Sequence, residues 1–290
     1  MVACLIASVL ASWNFLRDDV VQSDVLVHHY WMRSFQDPEL FNDGLTSLLR
    51  ESGRYPEGYQ ALFRLASNVV DPVVFGEWLG IGLMAASGWL VFLVVREHTD
   101  WKVAAWLAAA LFLALSDIHR FYGGFPRAFV QVAVLLTVLL AIRRHPLAAA
   151  LAASGAALFY PPAALLAVGV LVLTVFEWKG WRPRLDRRRA GFAVMAVVVM
   201  FGLILGPPAL SGAGSSDVFT EAQARQYPEF GEWGPLHFFT KSNIQYFKQN
   251  RSGFDLGSSG SIIALAALAL LLVRPLNLRL VRPEVLALAV

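Results

Sequence analysis

The sequence predicts an all-α, polytopic transmembrane bundle of about eight spans with a truncated ninth, and three observations carry that reading. Of the 290 residues, 57% are hydrophobic and only 16% charged, against roughly 25% charged in an ordinary soluble domain. The apolar residues gather in runs of helical length divided by polar or proline-bearing segments. Basic residues segregate to alternate connections, as orientation in a bilayer requires.

The spans are read in order. Val2 to Leu16 is short for a hydrocarbon core of roughly 30 Å at about 1.5 Å per residue, and it reads as a first span whose start is missing. It lacks the basic leader and cleavage site of a secretory signal. The lone cysteine, Cys4, lies in this run and is a small apolar filler. Val73 to Val95, Val103 to Leu115 and Ala128 to Ile142 follow. Leu147 to Tyr160 and Ala163 to Phe176 meet at Pro161-Pro162, which predicts a tight hairpin because neither proline has an amide donor. Ala190 to Leu205 is expected to close at Gly206-Pro207-Pro208, and Ile262 to Val273 is the eighth span. A further apolar run after Pro283 is cut off at Val290, so residues 1–290 read as one transmembrane domain of a longer chain.

Connections after the even-numbered spans hold thirteen Lys/Arg against five acids, and the opposite side holds eleven against sixteen. The basic side is therefore read as cytoplasmic, including the run from Lys179 to Arg189. This orientation also accounts for the pI near 9.2, so a nucleic-acid partner is not inferred. The localisation expected is an integral membrane protein, of a prokaryotic plasma membrane, with three outer loops at 17–71, 116–127 and 211–260.

The first outer loop is too long for a connector and is patterned as helices. Ser23 or Asp24 is a natural N-cap, and Val25 to Phe35 reads as an amphipathic helix in the interface plane, with Tyr30, Trp31 and Phe35 at headgroup level. Asp37-Pro38 ends it, and short helices are expected at Leu45 to Arg50 and at Pro56 to Val70. The second loop, SDIHRFYGGFPR, is brief. The third is polar at its ends and aromatic in its middle, where rings such as Tyr227 and Trp233 read as an interfacial belt.

The spans are nearly free of ionisable groups, which argues against an ion-coupled transporter; Glu77 lies close to the outer interface. Chemistry is therefore sought in the outer loops. They offer Asp24 with His28 and His29, Asp43, and Asp117-x-His119. Two carboxylates and an imidazole suit a hard divalent cation such as Mn²⁺ or Mg²⁺, which would neutralise a departing phosphate. Asp24 would bind that metal or take the proton of an acceptor hydroxyl. Arg127, after Gly123-Gly124-Phe125-Pro126 at a helix start, is a candidate for holding phosphate.

A first span, a long outer loop opening on SDVLVHHYW, two more spans and a short loop with SDIHRF together resemble the GT-C superfamily of membrane glycosyltransferases. The loop order is similar to that of oligosaccharyltransferase catalytic subunits and of the aminoarabinose and mannose transferases. The resemblance implies a polyprenyl-phosphate-linked sugar as donor and Asp24 and Asp117 as catalytic acids. It also implies that Asp24 and Asp117, with His119 beside the latter, hold a divalent metal. His28, His29, Asp43 and Arg127 are then the substrate-binding candidates. Asp18-Asp19 is the other position for the first-loop acid. There is no WWDYG motif and no soluble C-terminal domain, so peptide glycosylation is not implied. The alternative readings are a transporter or lipid-handling protein without glycosyl chemistry, and a non-catalytic protein of the same fold.

Overall fold

The computed structural model describes residues 1–12, 25, 28–40, 55–116, 121–179 and 182–211; at 11, 177–179, 182–183 and 207–211 only the backbone course is described. Eight α-helices account for most of them. They are α1 (Val2–Ser12), α2 (Glu57–Ala66), α3 (Pro72–Arg96), α4 (Lys102–Leu115), α5 (Phe129–Ile142), α6 (Pro146–Gly155), α7 (Pro161–Leu173) and α8 (Arg187–Ser211). Short 3-10 helices cover Tyr30–Phe35, Tyr122–Gly124, Pro126–Ala128 and Ala156–Leu158. The fold is mostly helical, as the apolar runs predict. One addition is a two-stranded antiparallel ribbon, β1 (Phe176–Lys179) and β2 (Arg182–Leu185), in register from Phe176 opposite Leu185 to Lys179 opposite Arg182.

The unit that contains the described residues through Leu205 is built around α3, which packs against α1, α4 and α5. Asp71 caps α3 by accepting hydrogen bonds from the Val73 and Val74 amides, and Pro72 follows where its missing donor costs nothing. Gly88 lets α4 approach, because a Cβ there would meet the Leu113 side chain at 2.9 Å. The α6–α7 pair is packed through alanines: Ala149, Ala150, Ala153, Ala163, Ala164 and Ala167 are all fully buried. Small side chains let the two helix backbones come close. Pro161 and Pro162 fall in the first turn of α7, so the expected hairpin forms without a broken helix.

Two of these helices, Pro72–Arg96 and Arg187–Gly206, are long and apolar enough to cross a membrane. The helix starting at Arg187 runs through Pro207-Pro208 to Ser211 and does not close at Gly206. A proline removes one hydrogen bond, but the bonds on either side can carry the helix onward. The other apolar helices have 10–17 residues. Their exposed faces are nonetheless apolar: α4 buries Ala105, Ala109 and Leu113 and exposes Val103, Leu107, Leu111 and Leu115 on the opposite stripe.

At the C-terminal end of α5, Arg144 adopts a left-handed conformation (φ 61°). His145 donates to Leu140 and Arg144 to Ala141, which satisfies carbonyls the helix end leaves open. Arg143 at this end also pairs with Glu97 of the α3 C-cap at 2.8 Å.

Candidate functional site

The site lies at the N-terminal end of α3, where the segments 28–36 and 121–128 meet. The 3-10 helix Tyr30–Phe35 is tied to α3 by an ion pair from Arg33 Nε to Asp71 at 2.7 Å. Gln36 donates from its side-chain amide to the carbonyls of Ser67 and Val70, which follow α2. This arrangement differs from the expected interfacial helix. Among the described residues Val25 and His28 are α-helical and a 3-10 helix follows at Tyr30–Phe35, but Trp31 is buried instead of lying at headgroup level. Trp31 packs with Tyr55, Tyr59 and Phe63, so its large apolar surface is used inside the protein.

The second loop is seated on glycines. Gly76 and Gly80 stand one turn apart on α3, and a Cβ on Gly80 would run into the Phe121 carbonyl. A Cβ on Gly76 would lie 2.7 Å from the Gly123 carbonyl oxygen and 2.8 Å from His29 Nδ1. The facing turn uses Gly123 and Gly124 at φ 72° and 62°, a region that side chains with a Cβ rarely adopt. The Gly124 amide donates to the Phe121 carbonyl and closes the turn. The two backbones thus approach closely at both glycines.

His29 sits in this contact, fully buried and stacked between Phe63 and Phe125, each ring centroid 4.9 Å away. Tyr59 is also fully buried, and its hydroxyl donates to the Gly124 carbonyl at 3.1 Å. That hydroxyl has a single proton, so the 2.8 Å contact with His29 Nε2 requires the imidazole to donate. Nδ1 is then the bare nitrogen, and it has no hydrogen-bond partner among the described residues. Burial, and secondarily the neighbouring His28, pushes the His29 pKa down to about 3. Burial, then Tyr55, raises that of Tyr59 well above its ordinary value.

His28 is half-buried and hydrogen-bonded to the Tyr55 hydroxyl through Nδ1. It meets Phe125 edge-on at 5.3 Å. Arg127 is exposed and lies with its guanidinium 5.0 Å from the Phe125 centroid, in the short turn that leads into α5. Of the residues singled out in the sequence, His28, His29 and Arg127 are therefore gathered around one ring, Phe125. Asp24, Asp43, Asp117 and His119 lie outside the described residues, as do Asp18 and Asp19. Among the described residues, no group of three or more His, Cys, Asp or Glu comes together to hold a metal ion.

Sequence reasoning passed over Tyr55, Tyr59, Phe125, Asp71 and the Gly76/Gly80 seat. Their signals were present: Tyr55, Tyr59 and Phe63 recur at helical spacing, and Gly76-x-x-x-Gly80 is a close-approach pattern. What the arrangement offers chemically is a pair of imidazoles with sharply different surroundings, a tyrosine hydroxyl on each, and a guanidinium beside the same ring. No family model, curated protein or solved structure matches the chain.

Proposed function

We propose that this protein is a membrane glycosyltransferase of the GT-C kind, which moves a sugar from a polyprenyl-phosphate donor to an acceptor hydroxyl at the outer membrane face. The observation that carries the reading is the meeting of the first and second outer loops around Phe125, with His28, His29 and Arg127 in one neighbourhood. Val25, the residue after Asp24 in the chain, belongs to the same apolar cluster as Tyr122 and Phe125. The two segments in which the resemblance implies catalytic acids are therefore neighbours of the contacting residues in sequence. The long apolar helices and the exposed apolar stripe of α4 support a bilayer setting, in which the shorter helices would also cross.

In this reading the acceptor oxygen attacks the anomeric carbon as the bond to the phosphate oxygen breaks. The electron pair leaves with the polyprenyl phosphate, and the acceptor proton passes to Asp24. A single displacement inverts the anomeric centre. Arg127 offers a fixed cation to the phosphate. In its alternative role Asp24 would instead hold Mn²⁺ or Mg²⁺ with Asp117 and His119, and the ion would supply charge neutralisation at the leaving group.

The test uses the purified full chain in lipid nanodiscs with a labelled polyprenyl-phosphate sugar. Turnover is expected, with a loss of at least about 10²-fold in Asp24→Asn and Asp117→Asn. Absent turnover across donor sugars, or unchanged rates in both variants, would sink the enzyme reading in favour of transport or lipid handling.

A further inference from the structure

The second outer loop is joined to α2 and to the first loop by a directional chain of hydrogen bonds. His29 Nε2 donates to Tyr59, and Tyr59 donates to the Gly124 carbonyl. Gly124 is the last residue before Phe125-Pro126-Arg127, so fixing its carbonyl fixes the peptide plane from which the Arg127 turn starts. The other imidazole nitrogen has no partner among the described residues and lies against Gly76, where even a methyl group would be 2.8 Å from it. A proton placed there would find no acceptor. The ring is further stacked against Phe63 and Phe125. A side chain serving only to fill this space would be apolar, because a buried acceptor left unpaired is destabilising. The donor on Nε2 is the feature that an apolar residue lacks.

We propose that His29 and Tyr59 are a positioning pair: a neutral imidazole orients the Tyr59 hydroxyl onto the Gly124 carbonyl and so sets the Gly123-Gly124 turn and Arg127 relative to the first loop. Its effect on turnover rests on the transferase reading, whereas the hydrogen-bond chain does not. The titratable or charged groups on the elements packed around the imidazole are His28, Tyr30 and Arg33 on its own segment, Tyr55, Glu57, Tyr59 and Arg64 at and within α2, Tyr122 and Arg127 on the second loop, and Asp71 and Glu77 at the start of α3.

The full chain in nanodiscs, with isotope-labelled histidine and glycine, tests the pair by NMR. Comparison with His29→Gln identifies the His29 signals. His29 is expected in the neutral Nε2–H form with a bare Nδ1 at every pH between about 8 and 5, below the ordinary histidine midpoint. The Gly124 carbonyl resonance is expected to move in Tyr59→Phe. An imidazolium or an Nδ1–H tautomer near pH 6, or an unmoved Gly124 signal, would overturn the proposal. In sugar transfer, Tyr59→Phe is expected to lower kcat about tenfold or more with little change in KM for the donor. His29→Gln, which keeps a donor, should retain more kcat than His29→Leu at equal thermal midpoints. Equal kcat in all three variants and the parent protein would also overturn it. Should the parent protein transfer no sugar while its His29 and Gly124 signals behave as stated, the transferase reading fails and the pair stands.

Discussion

Gly80 and Gly82 share a helix and differ in consequence. A Cβ at Gly80 collides with the Phe121 carbonyl, whereas at Gly82 nothing lies within 4 Å. Gly80→Ala should therefore destabilise the protein by about 1–3 kcal/mol through forced separation of α3 from the second loop. Gly82→Ala should be neutral or stabilising by up to about 1 kcal/mol from helix propensity. Thermal melts of the two variants in detergent check this, and equal midpoints would remove the seat from the account. His29 gives a second test, in which the sign follows from its depressed pKa of about 3. The unfolded chain binds a proton near pH 6.5 that the native ring refuses, so the contribution to stability is complete above about pH 6.5 and drains away as pH falls toward 3. Unfolding free energy should drop with acid by up to about 1.4 kcal/mol per pH unit in that window, and the slope should flatten in His29→Gln.

At the scale of elements, the start of α3 joins two functions in one side chain. Asp71 accepts the Val73 and Val74 amides as N-cap and pairs with Arg33 of the Tyr30–Phe35 helix. Asp71→Ala removes both, and a loss of about 0.5–2 kcal/mol is expected from the cap alone. Arg33→Ala leaves the cap in place and removes the ion pair, which is about one-third exposed on each side and contributes at most about 1 kcal/mol, together with the guanidinium contact on the Tyr30 ring. Denaturant titrations that ranked Arg33→Ala as the more damaging change would show that the cap is not what holds this end. The cap was readable, since an Asp-Pro pair before an apolar run is a common helix start. Its partner Arg33, thirty-eight positions earlier, was not, because nothing in a periodic pattern specifies which distant charge a helix end will meet.

For the whole molecule, the two long apolar helices and the exposed apolar stripes predict that the protein stays with the membrane fraction through an alkaline wash. Release into the supernatant would refute bilayer insertion. The basic-residue asymmetry predicts sidedness as well. In a Cys4→Ser background, Arg143→Cys should react with a membrane-impermeant thiol reagent only from the cytoplasmic side, and Tyr30→Cys only from the outside. Labelling of both from one side would undo the topology.

The sequence by itself determined the helical class and most helix positions: Val73 to Val95 was read and Pro72–Arg96 formed, and Val103 to Leu115 became Lys102–Leu115. Apolar periodicity and proline act locally, so such boundaries are legible without knowing the fold. It also brought forward His28, His29 and Arg127 as residue types out of place on an apolar chain. Only the tertiary structure decided that the two histidines differ, one half-buried on Tyr55 and the other sealed between two phenylalanines. Only it decided that Trp31 faces inward, that a ribbon joins α7 to α8, and that Gly76 and Gly80 receive a loop. Solvation and close backbone approach depend on what arrives from elsewhere in the chain. In the sequence, His28 and His29 are adjacent and identical; burial gives them different chemistry.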